Sequence, residues 1–339
     1  MNKIRINMLS SADKVEGQGV GSAYKEQVKL VKDGASDIFE IDINGKGKYD
    51  IVHCHTLDPK NYIKMRRNKG KSVTYVHFLP TTLDGSIKLP KPIFKIFKKY
   101  VVNFYNKSDN LVVVNPIFIK DLESAGIDKN KVSYIPNYVS KDVFYTLSES
   151  EVKELRKANG IAEDAFVCIG VGQVQTRKGV LDFVNAARQL PDVTFIWCGG
   201  FSFGKITDGY EELKAIMDNP PENVKFMGII PREEMNKMFN MSDVLFMPSF
   251  NELFPMAILE AVNLGIPLLL RNLELYEDIL FKKYTIGNDV DSFKEQIINL
   301  KNDKDLYSKY SNYSKEISEY YSKENVLNIW REYYTNLVK

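Results

Sequence analysis

Cysteine is scarce in this chain of 339 residues. Cys54, Cys168 and Cys198 are far apart, odd in number and without a CxxC pair. That excludes a disulfide framework and points to reduced thiols and a cytosolic setting. Histidine is equally rare, with only His53, His55 and His77. His53 and His55 form an HxH pair, but no Cys/His pair at finger spacing completes a zinc site. No apolar run approaches the ~18 residues a membrane-spanning helix needs. The opening MNKIRINMLSSA is basic, yet its apolar segment is too short for a secretory signal and reads as a strand. Internal repeats and low-complexity tracts are lacking as well. The chain that remains is 44% hydrophobic and 27% charged, the profile of a globular protein long enough for two cored domains.

A net charge of +2 hides an asymmetry. Residues 1–147 carry 24 Lys and Arg against 15 Asp and Glu, so the remainder carries 22 against 29. A basic N-terminal half suits an anionic partner. No nucleic-acid-binding motif accompanies the charge, and none is expected to bind there.

Apolar runs alternate with helical patterns in both halves, which predicts parallel sheets and an α/β fold. In the first half, Ile4–Leu9 reads as a strand, followed by Gly17, Gly19 and Gly21 and a helical pattern from Ala23 to Val31. A strand, glycine loop and helix suit a phosphate loop, but a flexible turn is an equal reading. Val73–Phe78 is a further strand with His77 near its end. Leu89–Lys107 places Ile93, Phe97, Val101 and Phe104 at helical spacing, with Lys91, Lys95, Lys98 and Lys99 mostly off that stripe. Two readings stay open: a core-facing helix with a solvated basic face, or a basic amphipathic helix on an anionic membrane.

In the second half, Phe166–Gly172 is a buried strand, and Lys178-Gly179 precedes a helix striped by Val180, Phe183, Val184, Ala187 and Leu190. A lysine at a helix start facing a crevice can clamp phosphate. The densest signal is Phe246–Leu270, FMPSFNELFPMAILEAVNLGIPLLL. A strand ends at Pro248, Glu252 lies in the following loop, Pro255 suits a first helical turn, and Glu260 lies within the helix. Eight helical residues span about 12 Å. Two carboxylates with helix amides between them suit a ligand with hydroxyls at both ends and phosphates in the middle, the form of a nucleotide-sugar. The DxD-like pairs Asp289/Asp291 and Asp303/Asp305 fall in polar context and read as surface residues.

The pattern P-S-x-x-E-x-F-P-x-x-x-L-E-A followed by G-x-P resembles the donor-site signature of family 4 retaining glycosyltransferases of GT-B fold. The resemblance implies two Rossmann-like domains facing a cleft: 1–145 on the acceptor side, 146–321 binding the nucleotide-sugar, and a last helix at about 322–339 crossing back. It implies that Glu252 contacts the transferred sugar, Glu260 the ribose, and the amides near Phe254, Pro255 and Met256 the phosphates. The family pattern G-R-x-x-x-x-K-G falls on Gly172–Gly179, with Gln173 where the family has Arg, and Arg177 beside the retained Lys178. By the same likeness Gly19 in the glycine loop, Gly199, and Ile230 in the loop after Gly228 line the donor, and His77 joins the active site. Leu253 replaces a family Gly. The reaction implied is transfer of a hexose, glucose by preference, from a UDP-sugar, with no metal or other cofactor.

The fuller patterns GQGVGSAYKEQVKLVK, YVHFLPTTLDGSIKLPK and VGQVQTRKGVLDF resemble bacterial glucosyl-diacylglycerol glucosyltransferases. They imply a membrane glycolipid acceptor and a peripheral place on the inner face of the membrane. A transferase acting on a soluble or polysaccharide acceptor, and a nucleotide-sugar-binding protein without turnover, are the alternatives.

Overall fold

The computed structural model describes residues 3–11, 19–77, 79, 91–202 and 204–339. They form two units: the described residues as far as Tyr138 together with Tyr321–Lys339, and Val139–Tyr320.

The first unit holds strands β1 (Ile4–Leu9), β2 (Phe39–Ile43), β3 (Ile51–Cys54), β4 (Lys71–Tyr75), β5 (Asn110–Val113) and β6 (Val132–Tyr134). All pair in parallel in the order β2-β1-β3-β4-β5-β6. Its helices are α1 (Gly19–Gly34), α2 (Pro59–Arg67), α3 (Lys91–Lys107) and α4 (Phe118–Ser124), and the unit also takes the last helix of the chain. α1 overturns one expectation. Gly19 and Gly21 are helical and do not form a loop. Glycine is tolerated there because the first-turn amides have no partner within the helix in any case. Gly17 lies outside the described residues.

The second unit opens with α5 (Glu149–Ala158), which starts on a capping box between Ser148 and Glu151. Its strands are β7 (Phe166–Val171), β8 (Val193–Cys198), β9 (Val224–Gly228), β10 (Val244–Met247), β11 (Leu268–Arg271) and β12 (Thr285–Gly287). They form a parallel sheet in the order β12-β11-β10-β7-β8-β9. α6 (Val180–Arg188), α7 (Tyr210–Asp218), α8 (Arg232–Asn240), α9 (Met256–Asn263), α10 (Leu275–Leu280), α11 (Val290–Asn302) and α12 (Lys304–Tyr320) alternate with the strands. α13 (Lys323–Leu337) returns to the first unit.

β10 and β11 are buried along their whole length, as near-continuous apolar parallel strands should be. α6 turns Val180, Phe183, Val184 and Ala187 into a core with Phe195, Trp197, Phe246 and Phe293. Phe183 lies 5.1 Å from the ring of Trp197 and 5.3 Å from that of Phe246. Each such aromatic side chain contributes roughly 1.5–3 kcal/mol through burial. The strand order reverses between β10 and β7, and in open α/β sheets ligands bind beyond the carboxyl ends of the strands at such a switch point.

Candidate functional site

Two loops leave the switch point of the second unit side by side. One runs from Gly172 after β7, the other from Pro248 after β10. Gly179 sets their approach. Its φ of 71° is left-handed, and a Cβ there would lie 2.2 Å from the carbonyl oxygen of Pro248. The backbone amide of Phe250 donates to the Arg177 carbonyl at 2.8 Å, and Arg177 Nη1 donates to the Asn251 carbonyl at 3.2 Å. Thus Lys178, which closes the short 3₁₀ turn Thr176–Lys178, is pressed against the second loop.

There Lys178 Nζ forms an ion pair with Glu252 Oε1 across 74 residues of sequence. Both are buried, and the Glu252 residue is only 7% exposed. Burial pulls the Lys178 ammonium below its ordinary pKa while the Glu252 carboxylate opposes that shift. Tyr276 on α10 is fully buried beside this charge, and its hydroxyl has no hydrogen-bond partner among the described residues. Burial, with a contribution from Glu252, holds that phenol well above its usual pKa and therefore neutral. Gln173, at the family's Arg position, accepts from Gln175 Nε2 at 2.8 Å, and Gln175 Oε1 accepts from Arg177 Nε at 3.0 Å. A polar chain of alternate residues therefore anchors the Arg177 guanidinium at this crevice.

α9 begins at Met256 because Pro255, in extended conformation, occupies its N-cap, one residue before the position expected for it. Phe254 and Met256 are buried around this first turn, whose amides face no helical carbonyl. Glu260, in the second turn, is 4% exposed and ion-paired through Oε1 to Arg232 Nη1. Arg232 opens α8, directly after the loop carrying Ile230 and Pro231, and its guanidinium lies 5.0 Å from the centre of the Phe144 ring. Gly199 bridges to Gly228, with its amide donating to the Gly228 carbonyl at 2.7 Å. At a φ of 145°, a Cβ on Gly199 would fall 1.8 Å from the Gly172 oxygen. Lys178, Gln173, Arg177, Glu252, Gly199 and the start of α9 therefore meet at the carboxyl ends of the strands, with the Glu260–Arg232 pair further along α9.

Sequence reasoning missed Arg232, Arg271 and Tyr276. Arg271 is buried at the end of β11. Its Nε donates to the Pro248 carbonyl at 2.9 Å, its Nη2 pairs with Asp182, and it lies 3.9 Å from the centre of the Phe250 ring. A lone arginine ending the apolar run Leu268-Leu269-Leu270 was the signal available. Asp289 and Asp303 cap backbone amides: Asp289 accepts from Ser292 at 2.8 Å and Asp303 from Leu306 at 2.9 Å. Among the described residues, no group of His, Cys, Asp and Glu is arranged to hold a metal ion.

In the first unit, His77 follows β4 by two residues and stacks on Tyr75, with ring centres 4.5 Å apart and planes within 6°. His53 and His55, from β3 and its end, join this stack with Trp330 and Tyr334 of α13. Tyr334 accepts a hydrogen bond from Gln27 Nε2 at 2.9 Å, and its hydroxyl is hydrogen-bonded to His53 Nδ1, 2.6 Å away. Burial lowers the pKa of His53 and His77 to about 3 and that of His55 well below its ordinary value, so all three are neutral near pH 7. His77 Nε2 is buried without a hydrogen-bond partner among the described residues.

The apolar stripe of α3 divides along its length. Val101 and Phe104 are buried, while Ile93, Ile96 and Phe97 are exposed, Ile96 by 70%. Lys95, Lys98 and Lys99 line an open groove of about 480 Å³ with Val102, Asn103 and Asn106. Lys91 belongs to the same helix. Among the described residues no helix is long and apolar enough to cross a membrane.

Residues 151–317 match the family described as Glycosyl transferases group 1, and residues 40–143 match Glycosyltransferase Family 4. The alpha-galactosylglucosyldiacylglycerol synthase of Streptococcus pneumoniae is 45% identical over 334 residues, covering 98% of this chain and 89% of the relative. The processive diacylglycerol alpha-glucosyltransferase of Acholeplasma laidlawii is 30% identical, covering 78% and 77%. Among solved structures, Anabaena Alr3699/HepE in complex with UDP-glucose superposes with a TM-score of 0.79 at 16% identity, covering 98% of this chain and all of that one.

Proposed function

Since the chain belongs to the family 4 glycosyltransferases and has their GT-B fold, we propose that it moves a hexose from a UDP-sugar, with retention, to a glucosyl-diacylglycerol in the membrane. The observation that carries this reading is the buried Lys178–Glu252 pair at the switch point of a chain 45% identical to a galactosylglucosyldiacylglycerol synthase. The names of the two relatives carry a galactosyl and a glucosyl group respectively, so their support reaches a hexose and not glucose alone.

In this proposal Lys178 turns from Glu252 to the donor diphosphate, and Glu252 accepts hydroxyls of the transferred sugar. Breaking the bond from the sugar to the phosphate leaves negative charge on UDP. Lys178, Arg177 and the first-turn amides of α9 receive that charge beside the buried Lys178–Glu252 pair, and fixed charges act more strongly away from water. His77, kept neutral by burial, serves as a hydrogen-bonding group toward a sugar hydroxyl and not as a cation. No metal is required, so a chelator leaves turnover intact. The protein acts from the cytoplasmic face, with the exposed half of α3 resting on anionic lipid.

The test offers the purified chain UDP-glucose and UDP-galactose with glucosyl-diacylglycerol, diacylglycerol or a soluble glucan, and identifies each product. A dihexosyl lipid of retained configuration supports the proposal. Transfer only to the glucan would replace it with the soluble-acceptor reading, and donor binding without turnover would leave a binding protein.

A further inference from the structure

We infer that Arg232 is the positioning residue of the nucleotide half of the donor site: it holds the Glu260 carboxylate in place and so sets how strongly the ribose 2′-hydroxyl is read. The inference rests on the reading of Glu260 as the ribose ligand, which the family resemblance implies and which belongs to the same proposed UDP-sugar site. A carboxylate 4% exposed is costly to keep ionised without a cation, and only the ionised form accepts hydrogen bonds from hydroxyls on both oxygens. Arg232 supplies that cation through Nη1 to Oε1.

Its own placement is fixed from two further sides. It is the first residue of α8, directly after Pro231, and its guanidinium lies over the Phe144 ring, a side chain that is itself fully buried. A planar guanidinium between a ring face and a carboxylate has little freedom to turn, which a lysine ammonium would retain. The loop of Ile230, expected to line the donor, and the carboxylate expected to meet the ribose are thereby joined by one side chain. A plain strut between α8 and α9 would use the same contact, but it would add stability without discriminating one ribose from another.

The experiment compares the parent with Arg232→Met, Arg232→Lys and Glu260→Gln in the full chain. It measures kcat and KM for the UDP-hexose, inhibition by UDP and by 2′-deoxy-UDP, and the thermal midpoint. The parent is expected to prefer UDP roughly tenfold or more, the size of one hydrogen bond to a charged group. Arg232→Met brings that ratio close to one and raises KM roughly tenfold with kcat within about twofold, while Arg232→Lys recovers part of the ratio. If Arg232→Met keeps the preference while Glu260→Gln loses it, Arg232 is only a strut and the inference is overturned. Should Glu260→Gln keep it as well, the ribose assignment falls and takes the inference with it. If Arg232→Met does not fold, Arg232→Gln, which keeps a polar head without charge, is judged by the same ratio.

Discussion

Lys178 and Glu252 are each other's counter-charge in a buried site, so neither can be removed without exposing the other's cost. Lys178→Met leaves a carboxylate without compensation and is expected to destabilise the second unit by about 3–5 kcal/mol. Adding Glu252→Gln should restore a large part of that loss. Denaturant unfolding of the four proteins of this cycle measures the coupling, and simple additivity of the two changes would contradict a paired site. In turnover, Glu252→Gln should depress kcat more than it raises KM, because a group that orients the reacting sugar acts mainly on the chemical step. Gly179→Ala meets both a left-handed φ and the Pro248 oxygen, so a loss of at least about 1–3 kcal/mol is expected. Glu252, Glu260 and Lys178 were legible as candidates because each lies beside a strand-to-helix crevice and on a motif of the family, Glu260 within the helix itself. Their partners were not. The Lys178–Glu252 and Arg232–Glu260 contacts join residues 74 and 28 apart, and no local periodicity encodes which loops the sheet order brings together.

At the scale of elements, alternating strands and helices could be read because a parallel strand covered on both faces is a short apolar run. α1 and α3 were read less well. The glycines around Gly19 resembled a loop, since composition alone does not separate a loop from a first helical turn. In α3 one apolar stripe of uniform spacing meets the core only at Val101 and Phe104, and where a sheet stops covering a helix is a tertiary fact. The uncovered half bears Ile93, Ile96 and Phe97 with Lys95, Lys98 and Lys99. If it rests on anionic lipid, each lysine contributes about 1 kcal/mol, and salt screens that part over about 8 Å at physiological ionic strength. Lys95→Gln, Lys98→Gln and Lys99→Gln together should weaken co-sedimentation with anionic vesicles by roughly a hundredfold if these contributions add, and leave UDP binding unchanged. Equal vesicle binding by parent and triple variant would place the membrane face elsewhere.

Over the whole molecule the two units differ in how they should meet acid. All three histidines of the chain lie in the first unit, stacked around Tyr75 and buried. The pKa of two of them falls from 6.5 to about 3 in the fold, and that of His55 falls well below 6.5. A pKa lowered on folding means that the unfolded chain binds protons the native one refuses. The stability these rings lend is therefore complete above pH 6.5 and is lost as pH falls from 6.5 toward 3. Each ring costs on the order of 1.4 kcal/mol per pH unit in that window. Against a typical total of about 5–15 kcal/mol, three rings should unfold this unit before pH reaches the native pKa values. The two tryptophans make this separable, because Trp330 lies 5.6 Å from the His53 ring in the first unit and Trp197 lies in the core of the second. With Trp197→Phe as background, Trp330 emission should report an acid transition whose midpoint moves down in pH when His55 is replaced by Phe. Denaturant titrations at pH 5 and 6 should give a slope of at least two protons taken up on unfolding of this unit. A slope near zero, or a midpoint indifferent to His55→Phe, would mean that the buried rings reach water or protonate within the fold.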